Sequence, residues 1–79
     1  MNMYRRLNIH LETLPWPINV LTFNQAIGRL QPGDDMTAIS DDADVVNTLE
    51  QLLVRQPELE YAVTEQDARY RIRVFRRLP

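Results

Sequence analysis

The spacing of apolar residues alternates along the chain between a period of 2 and a period of about 3.6, and that alternation limits the fold more than any other feature. Leu7, Ile9 and Leu11 point one way while Arg6, Asn8, His10 and Glu12 point the other, the signature of a strand with one buried face. Leu14-Pro15-Trp16-Pro17 breaks it. From Pro17 to Leu30 the residues Val20, Phe23, Ile27 and Leu30, with Leu21 beside them, recur at helical spacing. Pro17 suits the first turn, where a missing N–H costs nothing. Gln31-Pro32-Gly33 stops the helix.

Met36-Thr37-Ala38-Ile39 reads as a short second strand. Asp41 is the expected N-cap of a second helix, with Asp42 and Asp44 favoured by the dipole of its first turn. Val45, Val46, Leu49, Leu52 and Leu53 form its buried stripe, and Gln56-Pro57 ends it. Leu59, Tyr61 and Val63 then alternate with Glu60, Ala62 and Thr64 as a third strand. Gln66-Asp67-Ala68 turns into a fourth, where Tyr70, Ile72 and Val74 face inward and Arg69, Arg71 and Arg73 outward. The order is βαβαββ. It predicts an α+β two-layer sandwich, a four-stranded mixed sheet with both helices on one face.

A length of 79 residues allows one domain, spanning residues 1–79, and a chain of this size buries roughly 60–65% of the surface it exposes when unfolded. The chain has no cysteine and one histidine. Disulfides, thiolate metal sites, iron–sulfur clusters and thiol chemistry are therefore excluded for these residues. No apolar run reaches the ~18 residues of a membrane span and no signal-peptide stretch opens the sequence. The expectation is a cytoplasmic domain with no membrane partner.

Charge is unevenly placed. All nine basic residues are arginine. Arg5, Arg6 and Arg29 against Glu12 leave residues 1–29 at +2. Residues 30–67 stand at −9 and residues 68–79 at +5, for a net charge of −2. An acidic chain argues against a nucleic-acid partner in general. The final segment is a local exception.

The run Leu30-Gln31-Pro32-Gly33-Asp34, then a short strand and Ser40-Asp41-Asp42, resembles the TusA/SirA-like family of small sulfur carriers. It matches in spacing the family's QPGE helix end and the acidic pair ahead of the second helix. Element order and length agree too, so the resemblance covers Leu14 to Arg77. The family carries Cys-Pro-x-Pro at the start of the first helix, and its cysteine accepts and passes on a persulfide sulfur. A thiol at a helix N-terminus meets unpaired N–H groups that stabilise the thiolate.

Here that motif aligns on Trp16-Pro17-Ile18-Asn19. Trp16 replaces the cysteine and Asn19 the second proline. The stretch from Glu12 to Trp16 is shorter than in the family and lacks its glycine. A carbon-linked indole holds no persulfide, so this chain alone carries no sulfur. The resemblance implies a degenerate member: not an enzyme, with no cofactor, acting as a non-catalytic protein-binding module. Trp16, Pro17 and Asn19 are the candidate contact residues. Trp16 is either a docking residue or folded over the first helical turn, much like a hydrophobic staple; the second is the expectation. A sulfur-transfer partner is what the resemblance implies. One alternative is an accessory subunit of a sulfur-relay complex with a cysteine-bearing partner.

The other alternative is an anion- or RNA-binding module using Arg69, Arg71 and Arg73, with Arg76 and Arg77 continuing the positive region. The expectation is instead a solvated face paired with Glu12, Glu60 and Glu65. Asp34, Asp35, Asp41, Asp42 and Asp44 lack the spacing of a calcium loop, and helix capping already accounts for three of them. His10 has no catalytic partner at a recognisable spacing and is assigned no role.

Overall fold

The computed structural model describes residues 4–79. Strand β1 covers Arg6–His10 and runs into a single 3-10 turn at Leu11–Thr13. Helix α1 covers Ile18–Gly28, β2 Asp35–Ser40, α2 Ala43–Leu53, β3 Leu59–Gln66 and β4 Arg69–Arg76. The sheet order is β1-β2-β4-β3. β1 lies parallel to β2, while β4 is antiparallel to both β2 and β3. The hairpin strand β4 thus slots between two strands joined through α2. This is the expected four-stranded mixed sheet and two-layer sandwich.

One core cluster joins the layers. Phe23 and Ile27 of α1 and Val45, Val46, Leu49 and Leu53 of α2 meet Met36, Ala38, Ile72 and Val74 of the sheet. The helices share a face because every second residue of β2 and β4 is buried there. The opposite face of the sheet has no helix over it. Register places Asn8, Thr37, Arg73 and Ala62 in one row across it, and His10, Ile39, Arg71 and Thr64 in the next.

Several boundaries differ from the sequence expectation, each for a local reason. α1 ends at Gly28, before Leu30, because the Gln31 N–H is held by the Asp34 carboxylate and not by the helix. The N-cap of α2 is Asp42, not Asp41: its Oδ1 accepts from Asp44 N at 2.9 Å and Val45 N at 3.4 Å. Ser40 Oγ in turn accepts from Asp42 N. Leu21, beside the apolar residues at helical spacing, is 55% exposed. The β3–β4 turn uses Asp67 and Ala68, both at positive φ, the conformation a tight two-residue hairpin requires.

The bend between α1 and β2 is held by Asp34, which is only 2% exposed. Its carboxylate accepts from Arg5 N, Arg5 Nε, Arg5 Nη2 and Gln31 N, all within 3.1 Å. Its backbone oxygen accepts from Arg76 N, and Gly33 N donates to Arg76 O. Four segments therefore converge on one residue: the start of β1, the end of α1, the start of β2 and the end of β4. Gly33 is required there, since its φ is +91° and an added Cβ would lie 2.5 Å from the Tyr4 ring.

Hydrogen bonds from the Arg5 and Gln31 backbone, then the Arg5 side chain, hold the Asp34 carboxyl below the ordinary carboxylate range against the opposing effect of burial. A carboxyl depressed by folding contributes its stability above the unfolded pKa, about 3.9, and loses it as pH falls through the folded value. Asp34→Asn turns an NH2 toward the donors of Arg5. It is expected to lower the denaturant midpoint at neutral pH far more than Asp35→Asn does. The gap to wild type should stay constant down to about pH 5 and narrow below it. Equal midpoints for the two variants would contradict this role of Asp34.

Candidate functional site

The C-terminal ends of β1 and β2 open away from the Asp34 bend, and both helices begin there. A cleft of about 400 Å³ lies between the 3-10 turn, Trp16 and the first turn of α2. Open α/β sheets place ligands at this end, where strands finish and helix N-termini converge.

Trp16 and Pro17 are joined by a cis peptide bond. The indole is 63% exposed, so the staple arrangement expected from the sequence does not form. Pro17 is also exposed and occupies the N-cap position of α1, where it offers no side-chain cap. Asn19 behaves oppositely. It is 7% exposed, and its Oδ1 accepts from Val20 N at 2.8 Å. That bond ties the side chain to the first turn of α1. Trp16 and Asn19 thus line one cleft, one as an open ring and the other as a buried amide.

Sequence reasoning missed the exposure of two apolar residues that follow Trp16 in the chain. Ile18 is 49% exposed, and with Leu21 it forms an i, i+3 pair on the outer side of α1. The signal was present in composition: Ile18–Gly28 contains no charged residue at all. A helix with one face in solvent usually places charge there, as α2 does with Asp44 and Glu50.

The far side of the cleft is acidic. Glu12, Asp41, Asp42 and Asp44 line it together with Ser40 and Thr48. Glu12 is largely buried and forms an ion pair with Arg69 from β4, while His10 Nδ1 lies 3.2 Å from its other oxygen. Burial pushes the Glu12 carboxyl up, but the hydrogen bond and charge of Arg69, aided by His10, outweigh it and hold the group below its ordinary value. Asp42 is engaged in capping α2. The side chains of Asp41 and Asp44 meet no cation among the described residues. Among those residues no three histidine, aspartate or glutamate side chains are placed to share a metal ion.

The arginine row is largely neutralised. Arg69 pairs with Glu12 and Arg73 with Asp35 at 2.9 Å, which leaves Arg71 as the member without a carboxylate partner among the described residues. The expected pairing with Glu65 is prevented by register, because Glu65 stands opposite the inward residue Tyr70. Glu60 pairs with Arg77 instead. Arg76 leaves the row altogether, turning to the helix side to reach Ile27 O and Glu58. A strand's alternation puts Arg76 opposite in sense to Arg73 and Arg71.

No family model, curated protein or solved structure matches the chain. Among the described residues no helix is long and apolar enough to cross a membrane.

The arrangement makes Trp16, the chain's single tryptophan, a direct reporter of the site. Its emission in the free protein is expected to be red-shifted, solvent-like and readily quenched by acrylamide. A blue-shifted, quencher-protected emission would contradict the open position of the ring.

Proposed function

We propose that this chain is a non-catalytic protein-binding module, a degenerate member of the TusA/SirA-like family that docks a partner at the corner formed by Trp16, Pro17 and Ile18. The family part of this reading rests on the Leu30-Gln31-Pro32-Gly33-Asp34 run, the acidic pair before the second helix, and the βαβαββ order. The carrier chemistry of that family needs a thiol, and the sequence contains none.

One observation carries the docking part. Trp16, Ile18 and Leu21 are all about half exposed or more at the start of an uncharged helix. Large apolar side chains grouped in this way mark surfaces that a partner covers. Tryptophan is also the residue type whose removal most often costs an interface dearly, because its ring buries a large area with little entropy to lose. Pro17 limits the backbone freedom of the segment, which lowers the entropic cost of presenting it.

Capture from a native extract tests this reading. Wild type and Arg71→Gln are expected to retain the same partner. Trp16→Ala should weaken retention by about 2 kcal/mol or more, roughly 30-fold in affinity. The paired change Ile18→Asp with Leu21→Asp should abolish it. Equal recovery by wild type and the corner variants would refute the assignment.

A further inference from the structure

β3 is an outer strand of the sheet, hydrogen-bonded on one side only, to β4. Its other side is an eight-residue edge, longer than the five-residue edge at β1. Natural edges of this length are guarded by lysine, proline or a bulge. β3 contains neither residue, and its register with β4 runs without a bulge.

The backbone groups on that edge can be assigned. An antiparallel strand turns the N–H and C=O of alternate residues toward the same neighbour. Arg77 N donates to Glu58 O, which makes Glu58 and Arg77 a hydrogen-bonded pair and fixes the phase. Glu60, Ala62 and Thr64 follow it toward β4. The N–H and C=O of Tyr61, Val63 and Glu65 therefore point outward, and the protein's other backbone hydrogen bonds do not reach them among the described residues.

The side chains of this edge fit the same strand turned about a twofold axis. With the axis perpendicular to the sheet at Ala62, β3 of a second copy runs antiparallel to the first and Ala62 stands opposite itself. Tyr61 then faces Val63 of the second copy and exchanges both backbone hydrogen bonds with it. These two side chains are only half-buried in the single chain, because α2 packs over β2 and β4, strands inside the edge. An aromatic ring opposite a β-branched residue is a favourable cross-strand pair.

Charge selects the same register. On the open face Glu60 comes to stand opposite Thr64 of the second copy, and Thr64 pairs with Arg71 in the register of β3 with β4. Glu60 thus enters the row of the one arginine among Arg69, Arg71 and Arg73 that has no carboxylate partner among the described residues. The separation is two strands, about 9.6 Å, which a glutamate and an arginine side chain span together. Glu65 faces Leu59, so no acid on β3 meets another. Placing the axis at Tyr61 or Val63 moves Glu60 out of the Arg71 row.

We propose that the protein pairs with a second copy of itself through β3, joining two four-stranded sheets into one of eight strands around a twofold axis at Ala62. None of these residues belongs to the Trp16 corner. Each copy keeps its docking surface, and the pair offers a partner two of them.

An interface of two strands is small, so the pairing depends on concentration. Sedimentation equilibrium is expected to give twice the chain mass of 9.3 kDa at submillimolar concentration, falling toward the single mass on dilution. The chain has no cysteine, so one introduced thiol reads the register. Ala62→Cys faces its own counterpart across a non-hydrogen-bonded pair, about 4.5 Å between Cα atoms and within disulfide reach. Thr64→Cys is displaced about 13 Å along the strand from its counterpart. Under mild oxidation the first should give a covalent dimer about tenfold faster than the second, or better. Ala62→Lys and Ala62→Glu, both at an exposed position, should each be monomeric, and their equimolar mixture should associate again. Monomeric wild type at submillimolar concentration, or equal crosslinking from positions 62 and 64, would overturn the proposal.

Discussion

The carboxylate of Asp34 is the constraint on which the rest of the architecture depends. Buried side chains of this charge persist only when their oxygens are fully hydrogen-bonded. Here the donors come from Arg5 at the entrance to β1 and from Gln31 just after α1, while the Asp34 backbone oxygen takes the Arg76 N–H of β4. Residues far apart in sequence are thereby fixed at one end of the sheet. With β1, β2 and β4 tied at that end, the C-terminal ends of β1 and β2 lie at the other end of the sheet, where each chain segment passes on to a helix N-terminus. The cleft occupies that position.

Electrostatics divides the molecule along the same lines. Carboxylates are used up wherever they support structure: Asp34 in the bend, Asp35 against Arg73, Glu12 against Arg69, and Asp42 as a helix cap. The exposed pairs contribute little to stability individually, but they remove most of the positive character of the β4 arginine row. Asp41 and Asp44 are the cleft carboxylates without such an ion pair or capping role among the described residues. The same division separates the helices. α2 has a charged outer side and a cap, whereas α1 has neither and exposes apolar side chains next to Trp16.

Much of the fold was legible in the sequence because it is written in periodicity. The alternation of Tyr70, Ile72 and Val74 with arginines, and the Val45–Leu49–Leu53 stripe, each have one face that must be buried. What failed was local and depended on partners distant in the chain. Leu21 was placed only beside the helical apolar residues because α1 is apolar on more than one side, and the position of α2 and the sheet decides which side is covered. Asp34 looked like one acid among several, because its role is defined by Arg5, 29 positions earlier. Arg76 was read as continuing the positive region beyond the row, whereas it reaches Ile27 O and Glu58 on the helix side. The candidate site was half visible. Trp16 and Asn19 were marked by their place in the motif, while their opposite burial, and the exposure of Ile18 and Leu21, belong to three-dimensional packing.

The proposed docking surface is the Trp16 corner, not the open arginine-bearing face of the sheet. Site-specific photo-crosslinking in the native cell tests it most directly, with a benzophenone amino acid placed in turn at Ile18 and at Thr37. The expected result is a discrete crosslinked species from position 18 and none from position 37. Crosslinking from position 37 alone would place the interface on the sheet and contradict the account.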